Sequence, residues 1–368
     1  MSKNQNLHAA KKEKNDEFYT RFDDINFEIN LAEHGYRPFF KDKIVYCNCG
    51  DPEESNFWKF FKARFNGLKL KKLISTHYDQ EGKSSYKLEY DGERVAKTEL
   101  EGDGDFRSPE CVELLKESDI VVTNPPFSLY REFVALLTKY DKKYVIWANN
   151  NSITYKEIFP LIKENKMWLG YTCNKTLSFA VPNDYRYDEK ETEKISDGKH
   201  YGKVPAISVF TNLDIPKRHE PMLLGWKFEK GLEMGIYQKY DNYDAYNVDK
   251  VCQIPRDYDG VLGVLITFLD KYCPEQFEIV ALGNSKENFT PTKQYTGAIK
   301  HKKDGSTTNG NAVNSVLVTK LDTPLKGEVY YTTDTEILFA PYARILVKRK
   351  FRRNALGLVY GLRMAISQ

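Results

Sequence analysis

From Lys43 to Glu164 the chain alternates short, unbroken apolar runs with amphipathic stretches, and that alternation constrains the fold more than any other feature. Ile44–Cys47 is β-branched and aromatic and ends at the turn-like string Asn48-Cys49-Gly50-Asp51-Pro52. Ser55 can then cap a helix in which Phe57, Phe60, Phe61 and Phe65 recur at helical spacing until Gly67 stops it. Leu73–Thr76 reads as the next strand, Lys83–Glu101 as a polar stretch with weak strand alternation, and Ile120–Thr123 as a further apolar strand. A helix follows with Leu129, Phe133, Leu136, Leu137 and Tyr140 on one face. Then come the strand Tyr144–Ala148 and a helix from about Tyr155 to Glu164. Strands that are apolar on both faces need helices on both sides. The expected class is therefore α/β, with a doubly wound, mostly parallel sheet.

The rhythm is lost beyond about residue 183. Residues 183–203 are highly charged and read as an exposed loop or insertion, and 284–315 is rich in Asn, Thr, Gly and Lys without a period. A length of 368 residues suits two domains. We expect a polar arm at 1–15, a catalytic domain at 16–215 and an irregular region at 216–368. The 55 Lys+Arg nearly balance 52 Asp+Glu, so any nucleic-acid surface must be local. The run from Arg344 to Arg353 holds six basic residues in ten, with Lys300, Lys302 and Lys303 upstream. It is either a solvated strand edge or a phosphate-contacting patch, the latter through Arg344, Lys348, Arg349 and Lys350.

No apolar run is long enough for a membrane span and the N-terminus lacks an apolar signal core, which points to the cytoplasm. Of six cysteines only Cys47 and Cys49 are close, so reduced thiols and no metal site are expected. Aromatic residues reach 14%, a surplus that suits core packing and also stacking on nucleobases.

Three strings carry chemistry. Asn124-Pro125-Pro126-Phe127 directly follows the strand Ile120–Thr123, at the carboxyl end where doubly wound sheets bind ligands. The two prolines remove backbone donors and stiffen the loop, leaving carbonyl oxygens to accept. The Asn124 side-chain oxygen and the Pro125 carbonyl can together accept both hydrogens of an aromatic amino group while Phe127 stacks on its ring. The alternative is a stiff strand-to-helix turn without chemistry. In Gly102-Asp103-Gly104-Asp105-Phe106, Asp105 can accept an adenine amino group and Phe106 cover its face; the alternative is a hydrated turn. Asn48–Pro52 has the context of a nucleotide loop but only one glycine, so it fails as a dinucleotide fingerprint.

Together these strings resemble the EcoRI-type adenine-N6 DNA methyltransferases. The resemblance runs through Asp16-Glu17-Phe18-Tyr19-Thr20, Tyr46–Cys49 with Asp51-Pro52 and Ser55-Asn56-Phe57, Gly102–Ser108 and Asp119–Ser128. It continues through Lys239–Ala245, Ile254-Pro255, Gly263–Leu269 and Pro274–Glu278, and reappears at Tyr342–Lys348. It implies a Rossmann-like class I methyltransferase that uses S-adenosylmethionine, flips an adenine from double-stranded DNA and needs no metal. A C-terminal target-recognition region and a cognate restriction endonuclease that acts on the same site without direct contact belong to the same picture. Residue by residue, the resemblance assigns Phe18, Tyr19 and Thr20 to the motif closing over the cofactor. Asn48, Gly50 and Asp51 fall to its methionine moiety, Asp105 and Phe106 to its adenine, and Asn124, Pro125, Pro126 and Phe127 to catalysis. Asp79 is the candidate for the ribose. The competing readings are an amino-group methyltransferase acting on cytosine N4 or on RNA, and a non-catalytic DNA-binding or antirestriction protein.

Overall fold

The computed structural model describes residues 20–30, 35–79, 85–181, 192–194, 200–284 and 289–350. The arm 1–15, Phe18, Tyr19 and the basic residues Arg352 and Arg353 lie outside the described residues. The chain divides into two compact units, one of residues 1–152 with 166–217 and the other of residues 153–165 with 218–368.

The first unit is α/β. Its strands are β1 (Ile44–Cys47), β2 (Lys72–His77), β3 (Tyr86–Tyr90), β4 (Val95–Glu99), β5 (Ile120–Thr123) and β6 (Lys143–Asn149). They are followed by β7 (Trp168–Leu169), β8 (Lys175–Val181), β9 (Thr192–Lys194) and β10 (His200–Thr211). They form one sheet in the order β4-β3-β2-β1-β5-β6-β10-β7, with β8 and β9 also paired to β10. The sheet is mixed rather than mostly parallel. Only β2-β1-β5-β6 runs parallel, flanked by the antiparallel β3–β4 hairpin on one side and by β10 with its partners on the other. The physical reason lies in the connections. Helical crossovers join the parallel strands, whereas β2, β3 and β4 follow one another too closely in sequence for a crossover, which permits only antiparallel pairing.

The parallel centre is buried along its length: β1 and β5 are covered at every residue. Helix Asn56–Leu68 covers part of it. Ser55 caps this helix by accepting from the Phe57 N–H at 3.3 Å. The helix buries Phe57, Trp58, Phe60, Phe61, Phe65 and Leu68, with Phe57 set edge-on to Trp147 at 5.1 Å. Gly67 does not stop it; Lys69 does, in the left-handed conformation at φ 56°. The helix expected over 155–164 is reduced to Phe159–Lys163 in the second unit, because Pro160 in its first turn lacks the N–H an earlier start would require.

In the second unit β11 (Gln238–Lys239), β12 (Ala245–Val248), β13 (Val261–Leu265) and β14 (Phe277–Leu282) precede a group of short strands. These are β15 (Ile299–His301), β16 (Thr307–Asn309), β17 (Thr319–Leu321), β18 (Tyr330–Thr332) and β19 (Ile337–Phe339), and the last strand is β20 (Arg344–Arg349). Two five-stranded sheets result, β11-β12-β13-β20-β14 and β16-β15-β18-β19-β17. The stretch 284–315 is thus partly a regular hairpin, and the charged stretch 183–203 includes strand residues from β9 and β10.

The basic run needs the sharpest revision. β20 is an interior strand, antiparallel to both β13 and β14, and Arg344 through Val347 are buried. The Arg344 guanidinium donates to Asn247 Oδ1 and Asp249 Oδ1, both at 2.9 Å, and to the Tyr342 carbonyl at 2.8 Å. A side chain 5% exposed and engaged on three acceptors is a structural cation rather than a surface phosphate contact. Lys348 and Lys350 are exposed, the latter with its Nζ on the Pro274 carbonyl at 2.8 Å, and Arg349 is half-buried.

Candidate active site

Chain order places the site. β1 is followed by β2 on one side of it, and the chain then crosses back to β5 on the other side. The carboxyl ends of β1 and β5 are therefore the point where strand order reverses and loops diverge, leaving a crevice. Asn48–Pro52 leaves β1 there and Asn124–Phe127 leaves β5. The two loops are tied together, since the Thr123 hydroxyl donates to the Asn48 carbonyl.

The first loop holds its shape by local bonds. Cys49 takes a left-handed conformation at φ 61°, which costs a residue with a Cβ about 1 kcal/mol and persists only where the surroundings impose it. Asp51 Oδ1 accepts from the Glu53 N–H and the Tyr86 hydroxyl, each at 2.9 Å, and its other oxygen lies 3.8 Å from His77 Nδ1. Burial, reinforced by the Asp51 carboxylate, pushes the Tyr86 hydroxyl well above the ordinary tyrosine range, so it stays protonated and donates. Sequence reasoning did not find Tyr86 or His77. Both sit on β2 and β3, whose alternation marks strands without marking which residue turns toward the loop.

Gly102–Phe106 is pinned to the end of β2. The Asp79 N–H donates to the Asp103 carbonyl at 2.9 Å, and Cys111 Sγ donates to the Gly104 carbonyl at 3.4 Å. Gly104 has φ +77°, and a Cβ there would meet the His77 carbonyl oxygen at 2.1 Å, so the segment approaches β2 as closely as a backbone can. Asp105 receives the Arg107 guanidinium in a two-toothed grip, Nε on one oxygen at 2.8 Å and a terminal nitrogen on the other at 2.7 Å. A third Arg107 nitrogen reaches Glu132 at 2.8 Å. Phe106 turns inward against Phe133, edge-on at 5.1 Å, with the Arg107 guanidinium 5.2 Å over its ring.

Of the Asn124–Phe127 loop, Asn124 and Pro125 are buried, and Pro126 and Phe127 are half-buried, with Phe127 packed against the core of this unit. The Pro126 carbonyl accepts the Leu129 N–H at 3.0 Å, which opens helix Tyr130–Lys139. Thr20 joins the group through Asn56, whose Nδ2 donates to the Thr20 carbonyl at 2.8 Å. The structure thus gathers Thr20, Asn48, Gly50, Asp51, Asp105, Phe106 and the Asn124–Phe127 loop at the carboxyl ends of three adjacent strands, β2, β1 and β5. It leaves Arg344, Lys348, Arg349 and Lys350 in the other unit.

A family model described as adenine-specific methyltransferase EcoRI matches residues 6–350. The chain belongs to this EcoRI-type methyltransferase family. The type II methyltransferase M.EcoRI of Escherichia coli is 49% identical over 295 residues, which span 75% of this chain and 89% of that protein. M.MpnI of Mycoplasma pneumoniae is 44% identical over 276 residues, 74% of this chain and 84% of its own. M.MgeORF184P of Mycoplasma genitalium is 43% identical over 276 residues, 74% of this chain and 85% of its own. As a member of the EcoRI-type family the chain is a site-specific adenine DNA methyltransferase of the restriction-modification kind. S-adenosylmethionine is the general methyl donor of such enzymes. Among the described residues, no helix is long and apolar enough to cross a membrane.

The residues of this EcoRI-type site fit such a donor. Asn48 Oδ1, Thr20 Oγ1 and His77 Nδ1 are buried atoms with no hydrogen-bond partner among the described residues. Each orphan costs roughly 1–3 kcal/mol, and three around one loop is the pattern left where a polar ligand completes the set.

Proposed function

We propose that this enzyme methylates N6 of an adenine turned out of duplex DNA, in the crevice at the carboxyl ends of β2, β1 and β5. The observation that carries the reading is the joining of the Asn48 and Asn124 loops across the strand-order reversal. It sets a buried amide and a diproline carbonyl beside a loop with orphaned polar atoms. S-adenosylmethionine, when bound, supplies an electrophilic methyl group. Asn48, Gly50 and Asp51 would hold its methionine moiety, Asp105 and Phe106 its adenine, and Asp79 its ribose, with Thr20 part of the motif that closes over it. Arg107 holds the Asp105 carboxylate through its backbone N–H, its Nε and a terminal nitrogen, which fixes the plane of the carboxylate.

The chain's own part is positioning and charge stabilisation. Asn124 Oδ1 and the Pro125 carbonyl accept the two N6 hydrogens, which turns the nitrogen lone pair out of conjugation and away from the loop. The same two dipoles stabilise positive charge as it grows on N6, without reorganising at that moment. The half-buried Phe127 offers a ring face to the extruded base, and stacking of this kind returns about 1–3 kcal/mol against the cost of unstacking. The nucleophile is the exocyclic nitrogen itself, so no covalent enzyme intermediate forms. Lys348 and Lys350 are the exposed remnant of the basic run and contact phosphates, while Arg344 supports them from within.

Asn124→Ala tests the reading. Methyl transfer to DNA, followed in a single turnover with labelled donor, is expected to vanish while donor affinity by calorimetry stays within a few fold. Near-native transfer by that variant would overturn the assignment of the loop.

A further inference from the structure

The stretch 284–315, which carries no sequence period, contains a two-stranded ribbon of distinct chemistry. β15 and β16 pair antiparallel, Ile299 opposite Asn309 and His301 opposite Thr307. The tip Lys302-Lys303-Asp304-Gly305-Ser306 is closed by the Lys302 N–H on the Ser306 carbonyl at 2.9 Å, with Gly305 at φ +81°. Asp304 is engaged inside the turn, accepting from the Ser306 N–H at 2.9 Å and from its hydroxyl at 2.6 Å. The tip carries the exposed cations Lys302 and Lys303, the latter ion-paired with the exposed Glu328 at 2.8 Å.

The two faces of the ribbon differ. β15 also pairs with β18, His301 opposite Tyr330 and Ile299 opposite Thr332. Side chains alternate along a strand, so Lys300, Thr308 and Tyr331 share one face and His301, Thr307, Asn309 and Tyr330 the other. The first face is anchored, because Tyr331 is buried in a cluster with Val318 and Leu338. On the second, Thr307 and Asn309 are exposed and Ile299 is 46% exposed. The His301 and Tyr330 rings stack there at 4.5 Å and 3°, and His301 Nε2 lies 2.9 Å from Thr332 Oγ1, so the face is ordered before anything binds. Asn309 is exposed and its Oδ1 accepts the Asn311 N–H at 2.8 Å, so the amide NH2 is the group it has left to donate.

We propose that this ribbon enters the major groove of the target DNA and that Thr307 and Asn309 read base edges there. The inference rests on the activity as a DNA methyltransferase and names the reading element for it. β15 and β16 form the edge hairpin of the five-stranded sheet, and the roughly 12 Å major groove admits two strands, so the hairpin would enter by this edge and its tip. The lysines at the tip suit the phosphates that border it. The hydroxyl and the amide NH2 match the purine N7 and O6 and thymine O4 atoms displayed in that groove. β16 is an edge strand without proline or charge to block it, so pairing with a second copy of the chain is the competing occupant. The polar, net basic surface favours DNA.

The test is methylation of a random duplex library by the full-length enzyme, with the sequence context of each methylated adenine read by sequencing. For Thr307→Ala and Asn309→Ala, each with an unchanged melting temperature, the expected result is a motif that turns degenerate at one position. Preference there should fall about 5- to 150-fold. Lys302→Ala with Lys303→Ala should weaken binding to all sequences alike and reduce the salt slope by about one to two units with the motif intact. A motif unchanged in both reader variants overturns the proposal, whether or not their rates fall uniformly, and so does a change in sedimentation mass in place of a change in motif. A wild-type enzyme that methylates no library member would instead overturn the activity on which the ribbon's role depends.

Discussion

The unit built on β1–β10 and the unit built on β11–β20 both use side chains to tie distant segments, as Glu28 does with the Tyr171 and Thr172 N–H groups in the first, but they differ in how far backbone contacts hold their loops. In the first, the loops that form the crevice are fixed by the strands they leave and by backbone contacts, such as Asp79 to Asp103 and the close passage of Gly104 beside His77. In the second, side chains tie distant segments. Asn242 is fully buried and donates to the Val316 carbonyl at 2.8 Å while accepting the Val318 N–H at 3.0 Å. Asp241 and Glu336 hold Lys293 and Lys320 in a lattice with contacts of 2.7–3.0 Å. A site assembled on a sheet tolerates loss of a peripheral side chain, whereas a region assembled by side chains does not. Under the proposed function, the chemistry rests on the first kind of support and the reading of DNA on the second.

That contrast can be broken by mutation. The largest effect expected is on rate in the first unit: Asn124→Ala should lower single-turnover methyl transfer at least 10²–10³-fold while the unfolding midpoint stays within about a degree. Next is stability in the second unit. Asn242→Ala removes the donor to the half-buried Val316 carbonyl and leaves the buried Val318 N–H without its acceptor, and chemical unfolding should register a loss of about 1–3 kcal/mol. Arg344→Met should cost about 2 kcal/mol by the same measure, because Asn247 loses a charged donor while the exposed Asp249 is screened by water. If either variant proved neutral, the second unit would be held by its strands as the first is.

The response to acid should have opposite signs at helix Phe22–Asn30 of the first unit and at the β17–β19 pair of the second. Despite partial burial, hydrogen bonds from Lys293 and Lys320 hold the Asp241 and Glu336 carboxyls below their ordinary range. Their contribution is complete above about pH 4.5, where the unfolded chain is ionised, and is lost as pH falls through the lower folded values. In the first unit Glu28 is fully buried, and desolvation pushes its carboxyl up although Tyr36 and the Tyr171 and Thr172 N–H groups donate to it. Its contribution is complete below about pH 4.5 and lost as pH rises through its folded value. Hydrogen exchange between pH 3 and 6 should therefore find β17 and β19 opening as pH falls, while helix Phe22–Asn30 tightens. Parallel behaviour of the two would refute the distinction. The smallest effect concerns DNA: Lys348→Gln with Lys350→Gln should reduce the salt slope of binding by about one to two units. An unchanged slope would return both lysines to plain solvated surface.

The two units were unequally legible from sequence for the same reason. β1, β5, β6 and helix Asn56–Leu68 follow from local periodicity, and Asn124–Phe127 could be placed because a strand ends directly before it. Phe106 was legible as part of a motif, but its inward packing on Phe133 was not, since the partner lies on another helix. The run at 344–349 misled for a related reason. Charge density marks where cations are, and Asp249, the carboxylate that engages one of them, lies 95 residues earlier. The ribbon β15–β16 was hidden because three-residue strands are shorter than any window over which alternation can be detected.

Gly104 carries a consequence for variation within such enzymes. Where it passes the His77 carbonyl, the spacing between the segment bearing Asp105 and the end of β2 is set by the width of one hydrogen atom. Even alanine would act as a shim there, prising open at its root the jaw proposed to face the nucleoside, while every hydrogen-bonding group proposed for the donor kept its identity. A pocket can thus lose its grip through the one residue in it that has no side chain.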